Sequence, residues 1–231
     1  MRSFQVCLVI ILAFCFSKIY QDIVKDRLAL SYLVHEIRDL KTDRKHFRAC
    51  VKKIGEYMAL DVLHELNTKQ VEVQTPTGGT AIHVLCDEDP VLVTILRAGL
   101  PFLNGVQKVF PYSDVGFLGM ARHEETFEAE TSYVGIPDVK NKRVILFDTM
   151  LATGGSMLDA IKIVEKRGPK EIIILCAIAA KEGIDRILDH NPHIKIYAAA
   201  IDPKLNEKKY IIPGLGDAGD RSFGMKFDYT H

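Results

Sequence analysis

Residues 142–168, KRVILFDTMLATGGSMLDAIKIVEKRG, constrain the fold more than any other stretch, because they read as strand, glycine loop and helix in direct succession. Arg143 to Phe147 is a short apolar run of the composition that a strand buried on both faces requires. It ends at an acid, Asp148. Thr149, Met150, Leu151, Ala152, Thr153, Gly154, Gly155 and Ser156 follow, and Met157, Ala160, Ile161 and Val164 then fall on one helical face. The helix stops at Gly168-Pro169. Ligands of open parallel sheets collect beyond the carboxyl ends of the strands. There, glycines admit an anion close to backbone N–H groups, hydroxyls add donors, and the helix N-terminus adds partial positive charge. The loop therefore predicts a phosphate site; the competing reading is a plain tight turn with Asp148 as a helix-proximal cap. No Lys follows the loop glycines and the loop is not GxGxxG, which disfavours ATP hydrolysis and dinucleotide binding. An acid a few residues before the cradle points to a ligand whose hydroxyls lie one sugar away from its phosphate, as in a ribose 5-phosphate.

The rest of the chain supplies a frame for such a site. At 231 residues with 48% hydrophobic content, it can bury one substantial core. The formal charge of +0 and the lack of a long basic run advertise neither nucleic acid nor an acidic surface. Cysteines 7, 15, 50, 86 and 176 form no CxxC pair and read as small hydrophobes of a reducing compartment. The N-terminal run from Phe4 to Phe16 is too short to span a bilayer comfortably and resembles the apolar region of a secretory signal. Two readings stand for residues 1–18: an atypical extension of a cytoplasmic protein, or a targeting segment. From about Asp22 the pattern is helical, with Leu30, Leu33, Val34, Ile37 and Leu40 at amphipathic spacing. A second helix, Asp43 to about Leu66, has an apolar stripe from Phe47 to Val62 and a basic side from Arg44 to Lys53, read as a solvated face. Val71–Gln74 and Thr80–Leu85 read as a hairpin at the sheet edge or in an arm.

Pro90 to Arg97 is the next buried strand and delivers Arg97 to its end beside Ala98 and Gly99, where a guanidinium can hold a diphosphate. A helix from Pro101 to Phe110 and a strand from Val115 to Ala121 follow, ending in Arg122. Arg122 to Pro137 is a polar excursion of the kind that forms lids, with His123 read as a solvent-facing residue. Glu171–Ala180 and Ile194–Ile201 are further strands around a helix from Lys181 to Asp189. Lys204 to Lys209 reads as a polar connection without special chemistry, and the segment from Ile211 to Arg221 as an ordered loop too Gly-rich for helix or strand. The expected fold is α/β: an open, mainly parallel twisted sheet with helices on both faces, a β-hairpin arm and a helical N-terminal region.

Three motifs carry a resemblance. FDTMLATGGS resembles the phosphoribosyl-diphosphate (PRPP) motif of uracil phosphoribosyltransferases, YIIPGLGDAG from Tyr210 to Gly219 their uracil-binding segment, and ILRAGL from Ile95 to Leu100 their diphosphate loop. The resemblance runs from about Leu30 to Gly224, so residues 19–231 are expected to form a single phosphoribosyltransferase-like domain with a C-terminal base-binding hood. It implies transfer of the phosphoribosyl group from PRPP to N1 of uracil, giving UMP and diphosphate. By the same resemblance PRPP is met by Arg97, Arg122, Asp148, Thr149, Met150, Leu151, Ala152, Thr153, Gly154, Gly155, Ser156 and Asp217. Asp148 binds ribose hydroxyls near the developing positive charge, and Asp217 is the one carboxylate that can be named as a base. Uracil recognition needs donors facing its carbonyls and an acceptor facing N3–H, which backbone groups at Ile211, Gly216 and Ala218, beside Asp217, can supply. Mg²⁺ is implied as cofactor, held mainly by PRPP and water rather than by direct side-chain ligation. A homo-oligomer, dimer or tetramer, is implied, as is a nucleotide effector such as GTP, known for some relatives; no membrane or nucleic-acid partner is.

Two rivals remain open at this level: a regulatory PRPP- or UMP-binding protein of similar fold that attenuates through RNA, disfavoured by the neutral charge, and a phosphoribosyltransferase for another base, disfavoured by YIIPGLGDAG. Two departures from the family pattern stand out. Thr149 occupies a position usually held by Pro, which predicts a softened loop. Ala121 replaces the usual aromatic before Arg122, which leaves the lid geometry less determined.

Overall fold

The computed structural model describes the backbone of residues 20–22, 28–122 and 129–225 and the side chains of 28–120 and 131–225. The expectations for residues 1–18, for His123 and for the side chains of Ala121 and Arg122 lie outside the described residues.

Seven strands form the main sheet: β1 (Tyr20–Asp22), β4 (Val91–Leu96), β5 (Val115–Arg122), β6 (Ala129–Gly135), β7 (Arg143–Leu151), β8 (Glu171–Ala180) and β9 (Lys195–Asp202). Their order is β1-β9-β8-β7-β4-β5-β6, parallel throughout except for the β5–β6 edge. β2 (Thr68–Gln74) and β3 (Thr80–Cys86) make a separate antiparallel hairpin. It is an arm rather than an edge of the main sheet, and it leaves Ile82 and Val84 each 63% exposed.

Helices α1 (Leu28–Arg38), α2 (Arg44–Leu63) and α3 (Gly99–Val109) cover one face, and α4 (Gly155–Glu165) and α5 (Lys181–His190) the other. The alternation of β7 serves both: Ile145 and Phe147 pack toward α1–α3, Val144 and Leu146 toward α4 and α5. Phe147 and Phe102 of α3 stack with ring centroids 5.7 Å apart. Burying apolar side chains on both faces is why the strands read as continuous apolar runs rather than alternating ones.

The topology fixes where a ligand can sit. From β4 the chain crosses by α3 to β5 on one side; from β7 it crosses by α4 to β8 on the other. β4 and β7 are hydrogen-bonded neighbours, so the loops after them open at a topological switch point, the place where doubly wound sheets bind ligands.

Several expectations need correction. A strand, β1, to which the sequence pattern assigned nothing, precedes the first described helix; pairing with β9 decides the conformation of so short a segment. Leu40 falls beyond the end of α1 and is 95% exposed. β7 does not end at Asp148 but keeps pairing with β8 through Leu151. Short strands β10 (Lys204–Leu205) and β11 (Ile211–Ile212) pair with each other, and α6 (Ala218–Phe223) forms inside the segment read as too Gly-rich for regular structure. Asp217 makes that helix possible by accepting from Asp220 N–H at 2.8 Å as its N-cap. Asp220 and Arg221, adjacent in that helix, each take a tertiary partner rather than each other.

Candidate functional site

The cleft at the switch point has two walls. One is the segment from Asp148 to Met157; the other is formed by Lys209 to Ile211 and Gly216 to Gly219, with Ala98 at the base.

The first wall is built around buried backbone. Asp148 keeps a partial opening to the cleft, and its Oδ1 accepts from Thr149 N–H at 2.7 Å. Loss of water around the carboxyl pushes its pKa up to about 7, the charge of Asp217 adds to this, and the Thr149 hydrogen bond opposes it. Thr149 is fully buried and does not line the cleft; its hydroxyl donates to the Ala98 carbonyl at 2.7 Å, joining the ends of β7 and β4. The softening expected from the missing proline is therefore opposed by two hydrogen bonds from this residue. Met150, Leu151, Ala152, Thr153, Gly154, Gly155 and Ser156 do line the cleft.

Gly154 is the N-cap of α4 at φ 78°, a left-handed conformation that glycine adopts without steric penalty, and no side chain caps the helix. The Thr153 hydroxyl reaches Gly155 N–H only at 3.4 Å. A first turn of N–H groups thus faces the cleft end of the sheet without a capping side chain, the arrangement that binds a phosphate.

Behind the loop lies α5. At Gly183 a Cβ would stand 2.5 Å from the Ala152 carbonyl oxygen, so only glycine lets the helix back the loop this closely. Arg186 Nη1 donates to the Thr153 carbonyl at 3.4 Å.

The second wall, the hood, is held from a distance. Asp202, 4% exposed at the end of β9, takes Arg38 of α1 in a bidentate pair at 2.7 and 2.9 Å and also accepts from Gly214 N–H at 2.9 Å. Arg38 donates in turn to the Gly214 carbonyl at 2.9 Å. Arg221 lies over the Phe47 ring, 4.4 Å from its centroid, and donates to the carbonyls of Ile37, Leu215 and Asp39. Arg48 on the basic side of α2 donates to the Ser222 carbonyl at 2.6 Å, so that face is partly structural. With these braces in place, the main chain of Gly216 enters no hydrogen bond among the described residues, and Asp217 faces the cleft with its side chain oriented by Asp220 N–H.

The structure thus brings Asp148, the phosphate loop, Ile211, Gly216, Asp217 and Ala218 around one cavity. It does not bring Arg97 there: that side chain bonds Asp220 at 3.0 Å. Arg122 ends β5, with its backbone paired to Ala129. Sequence reasoning missed Lys209, which lines the cleft beside Tyr210 from a tight turn closed by Asn206 N–H to the Tyr210 carbonyl at 2.8 Å. The left-handed φ of 62° at Lys209 has no sequence signature of the kind glycine leaves. Gly183, although visible in the helix pattern, could be noticed only as a helix-weakening residue.

A carboxylate at the switch point, an uncapped helix start beside it and a main-chain hood opposite fit the class of transferases that act on a sugar phosphate bearing, or accepting, a flat ring. Comparison with known proteins narrows this class. Residues 24–225 match the family model described as uracil phosphoribosyltransferase. The chain is 43% identical over 204 residues to the uracil phosphoribosyltransferase of Bacillus licheniformis, covering 88% of this chain and 98% of that one. It is 41% identical over 211 residues to the enzyme of that name from Clostridium botulinum, covering 91% and 98%. A solved protein of Aquifex aeolicus superposes with a TM-score of 0.84 at 35% identity, covering 89% of this chain and 98% of that one. The chain belongs to the uracil phosphoribosyltransferase family. No described helix is long and apolar enough to cross a membrane.

Proposed function

We propose that this chain transfers the phosphoribosyl group of PRPP to N1 of uracil, releasing diphosphate and forming UMP. The observation that carries the reading is the placement of Asp148 and the uncapped start of α4 on one side of the cleft, opposite the main chain of Gly216.

The 5-phosphate of PRPP meets the N–H groups from Ala152 to Ser156, and the ribose hydroxyls donate to Asp148. Those hydrogen bonds favour the charged carboxylate against the desolvation that raises its pKa. Once ionised, Asp148 lies near C1 as the bond to diphosphate lengthens and the sugar takes on oxocarbenium character. The hood holds uracil edge-on with N1 toward C1, and Asp217, the carboxylate on the hood wall, accepts the N1 proton. N1 forms the new bond to C1 as the C1–O bond to diphosphate breaks, with Arg97 and Arg122 receiving the leaving charge. Positioning both substrates in line is the largest contribution, worth about 7–11 kcal/mol.

The residues fit a Mg²⁺ carried by the substrate. Asp148 and Asp217 offer two carboxylates on the cleft, hard oxygen donors that would face an ion bound to the phosphates of the substrate. When bound, such an ion neutralises charge on the diphosphate. The reading also includes residues 19–231 as one domain after an extension at 1–18, a cytoplasmic protein, a homo-oligomer of two or four copies, and GTP as an effector. The match of residues 24–225 to one family model supports the single-domain part of this reading.

The test is UMP formation from PRPP and uracil with Mg²⁺, beside the same assay with cytosine and hypoxanthine. Turnover restricted to uracil is expected. Tight PRPP binding without UMP formation overturns the reading in favour of a regulatory protein, and turnover with hypoxanthine overturns the assignment of the base.

A further inference from the structure

Arg97 stands at the carboxyl end of β4, yet its guanidinium lies along α6 instead of in the cleft. Nη2 donates to Asp220 Oδ1 at 3.0 Å and approaches the Gly224 carbonyl at 3.5 Å. It passes so near Gly219 that a Cβ there would stand 3.6 Å from it. One guanidinium therefore spans the short helix that follows Gly216 and Asp217, the hood residues on the cleft. Asp220 is anchored at its other end as well, because its N–H donates to Asp217 Oδ1 at 2.8 Å. Asp220 does not line this cleft but a neighbouring cavity that shares Gly216 and Asp217 with it, and its carboxylate is tied to the cleft end of β4 through Arg97.

The side chains of the pair are 38% and 35% exposed. Ion pairs so open to water are weak and exchange readily. A diphosphate offers a guanidinium more charge and more acceptor oxygens than one carboxylate does.

Resting on the reading in which Arg97 receives the leaving diphosphate, we infer that Asp220 is a positioning residue that holds Arg97 against the hood until a diphosphate group takes it. The two halves of the site then draw on the same guanidinium. Bound to Asp220, Arg97 braces α6 and the main chain that meets the base; bound to diphosphate, it leaves α6 to its remaining ties through Arg48 and Arg221.

This exchange predicts opposite effects on the two substrates, which a merely structural role for Asp220 does not. In Asp220→Asn the freed Arg97 should bind inorganic diphosphate about two- to fivefold more tightly, while the KM for uracil rises by a similar factor. Diphosphate affinity is measured calorimetrically with Mg²⁺ and no base present, and uracil KM by steady-state UMP formation. In the Arg97→Ala background the same Asp220→Asn change should leave diphosphate affinity untouched, closing a double-mutant cycle. Weakening of both ligands together, or no change in either, overturns the exchange. Failure of wild-type protein to form UMP would count against the proposed function alone, since the calorimetric cycle involves no base.

Discussion

The two walls of the cleft are held by different means. On the phosphate side, the loop is a continuation of β7 pinned by neighbours one or two strands away: the Thr149 hydroxyl on Ala98, and the bare Cα of Gly183 under Ala152. On the hood side, the chain has little regular structure of its own and is held by arginines whose partners lie far off in sequence, Arg38 with Asp202 and Arg221 with Ile37 and Asp39. The first wall resists because packing leaves it no room; the second is shaped by a few charge-assisted hydrogen bonds. An anion with one fixed geometry suits the first. A base that must be admitted and released suits the second.

The sharpest break in this contrast comes from Asp148→Asn. It should lower kcat about 10²–10³-fold with little change in the KM for uracil, in steady-state assays of UMP formation, because it removes charge stabilisation from the sugar and leaves the hood alone. The same variant sharpens the electrostatic side of the argument. The native Asp148 carboxyl titrates at about 7, raised mainly by desolvation. The unfolded chain releases that proton near pH 4. Between these values the native state binds more protons than the unfolded one, so this residue's contribution to stability is fully present below about pH 4 and lost as pH rises through about 7. Melting curves of the ligand-free protein from pH 4 to 8 should show the variant gaining on the wild type across that window.

Next in size is Gly183→Ala. Its Cβ would meet the Ala152 carbonyl at 2.5 Å, so the helix or the loop must shift. Overpacking of this kind costs about 1–3 kcal/mol, read by chemical denaturation. The KM for PRPP should rise at least about tenfold, as a 1.4 kcal/mol loss implies, while that for uracil stays near wild type.

The hood counterpart is Arg38→Met, which strands the buried Asp202 carboxylate. Because Arg38 itself is part-exposed, the expected loss is on the order of 2 kcal/mol, below that of a fully buried pair. The substrate effects should reverse those of Gly183→Ala, with uracil KM rising several-fold and PRPP KM little changed. Equal effects on both substrates in either variant would erase the distinction between the walls.

The smallest effect belongs to Thr149→Val. It removes the hydroxyl that joins β7 to Ala98 and leaves a carbonyl without its donor, about 1 kcal/mol in denaturation. A rise in PRPP KM of a few-fold should accompany it. No change in stability would show that the hydroxyl contributes nothing to holding the loop.

The alternation of apolar strands and amphipathic helices was legible because each element carries its own periodicity, and the phosphate loop because glycine, hydroxyl and carboxylate sit within ten residues of one another. Ile211, Gly216 and Ala218 could be placed in the hood only through the family motif. Thr149 was misjudged because its burial depends on the end of a neighbouring strand. Leu40 was placed in the core because a helical period does not announce where the helix stops. β10, β11 and α6 were missed because their residues form elements through a partner strand and an Asp217 cap rather than through propensity.

The sequence by itself determined the alternation of the main strands and helices, the apolar strand that leads into Asp148, and the glycine cradle that follows it, since these rest on residues adjacent along the chain. Tertiary structure decided that Arg97 lies on Asp220 and not in the cleft, that Gly183 backs the phosphate loop, and that arginines from the first helices and the last hold the hood. Each of those contacts depends on which distant backbone atoms packing brings within a few ångströms, and a guanidinium or a missing Cβ has the same local signature whichever partner it meets.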